Sequence, residues 1–98
     1  MSDRRRPFPG QTYMPHFILY SRSYCHLCDD MLSALKTLAG EEVAVAVIDI
    51  DAEGNEALLA RYDELVPVLV GQRDGQPERQ LCHYFLNENI VRDFLAKA

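Results

Sequence analysis

The order of elements in the first fifty residues constrains the fold most. "HFILYS" (16–21) is a short apolar run rich in aromatic and β-branched residues, and it reads as a buried strand. Leu27, Cys28, Met31, Leu32, Leu35, Leu38 and Ala39 then recur at helical spacing, and Gly40 supplies a stop just after the last of them. "VAVAVIDI" (43–50) is apolar nearly throughout and reads as a strand buried on both faces, as in a parallel sheet. Strand, helix, strand in this order calls for a parallel pair joined by a right-handed crossover.

The second half adds a different constraint. Asp51 is placed to cap a second helix, Glu53 suits its first turn, and Ala57, Leu58, Leu59 and Tyr62 give it an apolar face. "VPVLVG" (66–71) reads as a third strand. "QRDGQPE" (72–78) holds Asp74-Gly75, a strong turn signal. "RQLCHYF" (79–85) then returns antiparallel, since a tight turn of this kind joins antiparallel neighbours. Asn87 caps a last helix with Ile90, Val91, Phe94 and Leu95 inward and Lys97 near its negative end. The fold class is α/β: β-α-β-α-β-β-α, with one mixed four-stranded sheet flanked by helices. Residues 1–15 read as a flexible basic tail, and residues 16–98 as the single domain that a 98-residue chain allows.

Composition excludes several classes of function. No apolar run approaches the ~20 residues that span a bilayer, so no membrane partner is expected. The opening "MSDRRRPFPGQTYMP" has arginines but no apolar segment behind them, so it does not read as a secretory signal, and a cytoplasmic location is expected. Arg4, Arg5 and Arg6 against Asp3 leave that segment at +2, so residues 16–98 carry −7 of the chain's net −5. An acidic body argues against nucleic acid, whose phosphates need cationic neutralisation. Three cysteines cannot all pair within one chain and do not make a secreted cystine framework. A monomer is expected.

"SRSYCHLCDD" (21–30) holds the chemistry. Cys25 and Cys28 stand three apart on the opening turn of the first helix, directly after the first strand. Cys28 aligns with Leu32, Leu35 and Ala39 on the buried face, while Cys25 lies a turn earlier, at the mouth of the helix. Ser23 is the expected N-cap. Unsatisfied N–H groups and the helix dipole there favour a thiolate over a thiol, and the thiolate is the nucleophile. Cys25 is therefore the candidate to attack a disulfide and Cys28 to resolve the mixed disulfide. His26 adds positive character beside the sulfur; Asp29 and Asp30 oppose it. Tyr24 could form an apolar lip for a partner.

Two other readings stand beside this one. The cysteines could pack as small hydrophobes. A closed zinc site needs four ligands, and the only other pair, Cys82 and His83, are strand neighbours pointing to opposite faces. Cys82 reads as a buried free cysteine, with a third redox thiol as the alternative. His16 and His83 read as strand-end residues, Tyr20 and Tyr62 as core, and Asp49 and Asp51 as capping groups.

These residues together resemble the thioredoxin superfamily, and specifically glutaredoxin-like proteins. "ILYSRSYCHLC" is similar to the glutaredoxin pattern of strand, basic residue, then Cys-x-x-Cys, with Arg22 where that family usually has a lysine. "LVPVLV" is similar to its segment before the third strand. "VIDIDAEGNEALLARYDELVPVLV" looks like the glutaredoxin-like group labelled by a domain of unknown function. The resemblance spans residues 16–96 and implies a thioredoxin-like fold. It further implies a cis Pro67 facing the dithiol, with the Val66 backbone offered to an incoming peptide or glutathione. It implies a thiol-disulfide oxidoreductase acting on protein or small-molecule disulfides, with no bound cofactor and with glutathione as a candidate reductant. Glutaredoxins that bind glutathione carry a Gly-Gly pair after the fourth strand. Here Cys82, His83 and Tyr84 stand in that region, and backbone approaches a ligand less closely past such side chains. The alternatives are a redox-inactive thioredoxin-like scaffold that binds a partner protein near Pro67, and a metal or iron-sulfur carrier.

Overall fold

The computed structural model describes residues 16–73 and 75–96. The first fifteen residues, Asp74 and Lys97 fall outside them, and with them the expectations for the tail and for a charge at the last helix end.

The seven expected elements form in the expected order: β1 (His16–Ser21), α1 (His26–Ala39), β2 (Ala44–Asp49), α2 (Glu56–Tyr62), β3 (Val68–Gln72), β4 (Arg79–His83) and α3 (Glu88–Ala96). They make one four-stranded sheet in the order β2-β1-β3-β4. β1 and β2 are parallel, with Phe17 opposite Val45 and Tyr20 opposite Ile48. β3 runs antiparallel to both β1 and β4. This is the topology that the resemblance implies.

Side-chain alternation along the strands builds two cores. Phe17, Leu19, Leu69 and Leu81 on one face join Met31 and Leu35 of α1 and Val91 and Phe94 of α3. Tyr20, Val68 and Val70 on the other face join Ile50 and Tyr62, with Leu58 and Leu59 of α2 packed against them. So α1 and α3 cover one face and α2 the other. Tyr20 and Tyr62 are core residues as expected, stacked with ring centroids 4.6 Å apart. Gly71 marks a close approach: a Cβ there would lie 2.7 Å from the Phe94 ring. Arg73, just past β3, stacks over that ring at 4.8 Å and donates to the Phe94 carbonyl, tying the hairpin to α3.

Four local expectations need correction. β2 is an edge strand, not one buried on both faces, and Val47 is 53% exposed. An apolar run reads alike in either position, and only the strand order tells them apart. Asp51 does not cap α2 and Glu53 precedes its first turn, because the chain turns over residues 50–54 before the helix opens at Glu56 behind Asn55. The carboxylate of Asp51 is drawn to Arg22 instead. Ser23 does not cap α1, because Tyr24 adopts a left-handed φ of 58° and moves the helix start to His26. β4 stops at His83, because Tyr84 turns the chain with a φ of 66°. Gly40 ends α1 as expected, its N–H donating to the Lys36 carbonyl at 2.8 Å. Asn87 caps α3 as expected, its Oδ1 accepting from the Ile90 N–H at 3.1 Å.

Candidate functional site: a dithiol at the carboxyl end of β1

The registers gather the site at one end of the sheet. β1 and β2 both finish there, at Ser21 and Asp49. β3 begins there, with Val68 beside Tyr20, and β4 finishes there, with His83 opposite Val68. The Cys-x-x-Cys turn, the Val66–Pro67 segment and the β4–α3 loop therefore share one edge.

Cys25 and Cys28 are joined as a disulfide, with Cα atoms 5.2 Å apart, inside the range that a disulfide spans without backbone movement. Cys25 is itself the N-cap of α1, with φ −111° and ψ 103°, and its Sγ accepts from the Cys28 N–H at 3.1 Å. The sulfur thus occupies the position where a helix offers its unsatisfied donors. Cys25 is half-buried, whereas Cys28 is 3% exposed against the base of the helix. The asymmetry expected from helical spacing is present: one sulfur reachable, one enclosed.

Tyr24, next to Cys25, stands fully in solvent and His26 is exposed. Arg22 is held by carboxylates. It donates to both oxygens of Asp51, at 2.9 and 2.8 Å, and its second ion pair, to Asp63, is 3.1 Å long. These contacts, the Asp51 hydrogen bond first, hold the guanidinium protonated and push the Asp51 carboxyl below the usual carboxylate range. Ser23 donates to Asp49 at 3.4 Å, and Asp49 accepts from the Asp51 N–H at 2.8 Å, so Asp49 organises the turn after β2.

The Val66–Pro67 peptide is cis, and Pro67 is fully enclosed. The N–H of Val66 is taken by the Tyr62 carbonyl at 3.2 Å, while its own carbonyl accepts from none of the described residues. Half of the backbone expected to face a partner is thus committed within the chain. Tyr84, in the turn just past β4, braces this segment. Its N–H donates to the Pro67 carbonyl at 2.9 Å and its hydroxyl to the Glu64 carbonyl at 2.5 Å. This brace was not read from the sequence. The signal was the position itself: where the resembled family has glycines, the chain keeps a left-handed turn and places a tyrosine in it.

Cys82 is a free cysteine as expected but half-buried rather than buried, packed against the edge of the α1/α3 core, and this burial pushes its thiol pKa up. It lies opposite Leu69, and a register shift between Leu69 and Val70 leaves Leu81 unpaired, so Leu81 and Cys82 both reach the same core. His83 closes β4 and meets Tyr84 edge-on at 4.7 Å, and His16 bonds Gln72 across the β1–β3 pair at 3.0 Å. Among the described residues no group of three or more His, Cys, Asp and Glu is placed to hold a metal ion. No helix among them is long and apolar enough to cross a membrane.

Fold and site together define a thioredoxin-fold protein with a Cys-x-x-Cys pair suited to a redox-type role. The chain belongs to the glutaredoxin-like domain family (DUF836), whose family model matches residues 16–96. Among solved structures it is similar to the structural-genomics target protein XcR50 of X. campestris, at 29% identity over 84% of this chain and 97% of that one, with a TM-score of 0.58. It is similar to a mutant thioredoxin of Halobacterium salinarum, 28% identical over 85% of this chain and 73% of that one, TM-score 0.55. The thioredoxin of Fasciola hepatica, 24% identical over 88% of this chain and 82% of that one, shares the fold with a TM-score of 0.59. No curated protein matches the chain.

Proposed function

We propose that the protein is a thiol-disulfide oxidoreductase in which Cys25 is the nucleophile and Cys28 the resolving thiol. One observation carries this reading: the reachable sulfur is also the one at the helix N-cap, with the Cys28 N–H aimed at it, while its partner is enclosed. Donors that point at the sulfur in the disulfide serve equally to stabilise the thiolate formed on reduction.

The exchange runs in two displacements. The Cys25 thiolate attacks one sulfur of a substrate disulfide; an S–S bond forms to Cys25, the substrate S–S bond breaks, and the first substrate thiolate leaves and takes up a proton. Cys28, losing its proton, then attacks the Cys25 sulfur. The Cys25–Cys28 disulfide forms, the mixed disulfide breaks, and the second substrate thiol departs. The substrate has gained two electrons and the protein has lost two. An external thiol pair, itself oxidised to a disulfide, resets the enzyme. Val66 and Pro67 border the approach to the sulfur, and Tyr24 and His26 flank it. Arg22 fixes the loops behind it through Asp51 and Asp63.

The test is a pair of variants with a disulfide substrate and mass spectrometry. Cys28→Ser is expected to accumulate a mixed disulfide on Cys25 and to lose multiple turnover, and Cys25→Ser to be inert. Full activity in Cys25→Ala would sink the assignment. Thiol trapping across glutathione and dithiothreitol buffers is expected to give a two-electron couple between about −180 and −270 mV. No disulfide at any poise would leave the scaffold reading in its place.

A further inference from the structure

Large apolar side chains are exposed at five positions among the described residues: Tyr24, Leu27, Val47, Tyr84 and Phe85. Val47 belongs to the edge strand; Tyr24 and Leu27 adjoin the cysteines in sequence, and Tyr84 and Phe85 lie in the β4–α3 loop at the same end of the sheet. Leu27 lies between the two cysteines, and it shares a groove of about 260 Å³ with Tyr84 and Phe85 of the β4–α3 loop. Met31 and Leu86 line the same groove, and Phe85 is 68% exposed beside it. Exposed apolar groups gathered at one end of a sheet are the kind of surface that marks an interaction site.

The charges around the groove are carboxylates. Asp30 and Glu88 line it, and both continue into an adjoining cavity of about 510 Å³ between α1 and α3. Among the described residues no cation pairs with Asp30. Glu88 meets Arg92 at 3.3 Å, an exposed pair one helical turn apart that leaves both groups largely in water. The cation nearest the dithiol in sequence, Arg22, is neutralised by Asp51 and Asp63. The field at the mouth of the groove is therefore negative, and it disfavours an anionic ligand.

We infer that the Leu27–Phe85 groove is the docking site for a segment of a disulfide-bearing protein substrate that places an apolar side chain and a lysine or arginine next to its cysteine. The apolar side chain covers Leu27 and Phe85, and the cation faces Asp30 and Glu88. This rests on the oxidoreductase reading and names its substrate class: polypeptide disulfides with a basic, apolar flank, in preference to small anionic disulfides. Electrostatic complementarity of this kind acts mainly on the encounter rate and weakens with salt.

The experiment follows oxidation of the pre-reduced full chain in single turnover. The probes are the symmetric disulfides of two capped tripeptides, Leu-Cys-Lys and Leu-Cys-Glu, with uncharged hydroxyethyl disulfide as the third. The lysine peptide is expected to react about tenfold faster than the glutamate peptide at low ionic strength. That ratio is expected to shrink in high salt and in the double variant Asp30→Asn, Glu88→Gln. Phe85→Ser, checked for an unchanged far-UV spectrum, is expected to slow both peptides alike. Equal rates for the two peptides, with hydroxyethyl disulfide reduced normally, would overturn the groove and leave the oxidoreductase standing. A chain that leaves hydroxyethyl disulfide untouched would overturn the oxidoreductase reading, and the groove with it.

Discussion

Cys25 and Cys82 are both half-buried, but their surroundings differ. Cys25 faces a donor of a helix start, whereas Cys82 packs against the edge of the α1/α3 core with its thiol pushed up by burial. In reduced protein near neutral pH, iodoacetamide is expected to label Cys25 well before Cys82, read by peptide mass spectrometry. Urea is expected to speed labelling of Cys82, since unfolding removes the desolvation that keeps it protonated. Tyr24 shows another single-residue effect. Its φ of 58° is unfavourable for a side-chain-bearing residue, and its ring is fully exposed. Tyr24→Gly is therefore expected to leave stability unchanged or raise it by up to ~1 kcal/mol in urea unfolding, against the usual sign of a glycine substitution. Asp51 supplies the acid limit. Its folded carboxyl titrates below its ordinary value, so its pairing with Arg22 stabilises the fold above about pH 3.9 and is lost as pH falls through the lowered value. Urea midpoints at about pH 5 and pH 3 are expected to converge more in Asp51→Asn than in the unaltered chain.

At the scale of elements, the two sheet edges and the centre differ in tolerance. Gly71 lies in β3 where the Phe94 ring of α3 closes on the strand, and that ring also packs on Phe17 with centroids 5.5 Å apart. Gly71→Ala would drive a methyl into an enclosed ring that has nowhere to swing. A loss of about 1–3 kcal/mol is expected in urea unfolding. On β2 the outcome reverses: Val47 is half exposed on an edge strand, so Val47→Lys is expected to change stability by about 0.5 kcal/mol or less. A lysine there also guards the open edge against pairing with another sheet. If Val47→Lys instead cost as much as Gly71→Ala, β2 would have a neighbour in solution that covers it.

For the molecule as a whole, topology converts separate signals into one site. The mixed sheet brings the end of β1, the start of β3 and the end of β4 to the same edge. Residues from four distant stretches of chain, around positions 25, 51, 66 and 84, consequently meet there. Tyr84 fastens the cis-Pro segment through its hydroxyl and its N–H, so Tyr84→Phe separates the two bonds. Loss of the hydroxyl bond alone is expected to lower stability by about 0.5–1.5 kcal/mol, toward the lower figure because the ring is partly exposed.

The sequence by itself determined the elements and the place of the Cys-x-x-Cys pair among them. Apolar periodicity, Gly40, Asn87 and the tight turn near Gly75 are local signals, and each element they mark is present. The unequal settings of Cys25 and Cys28 also follow from spacing, because Cys28 lines up with Leu32, Leu35 and Ala39 on the buried face while Cys25 lies a turn earlier, at the mouth of the helix. Tertiary structure decided everything that depends on neighbours remote in sequence. It made β2 an edge rather than a centre, since an apolar strand does not record how many partners it has. It gave Asp51 to Arg22 rather than to a helix cap, because a carboxylate goes to the nearest cation once the fold brings one within reach. It passed the helix cap from Ser23 to Cys25 by one left-handed residue at Tyr24. It also brought Leu27 and Phe85 into one groove, a proximity set by two strands and two helices, which no local pattern encodes.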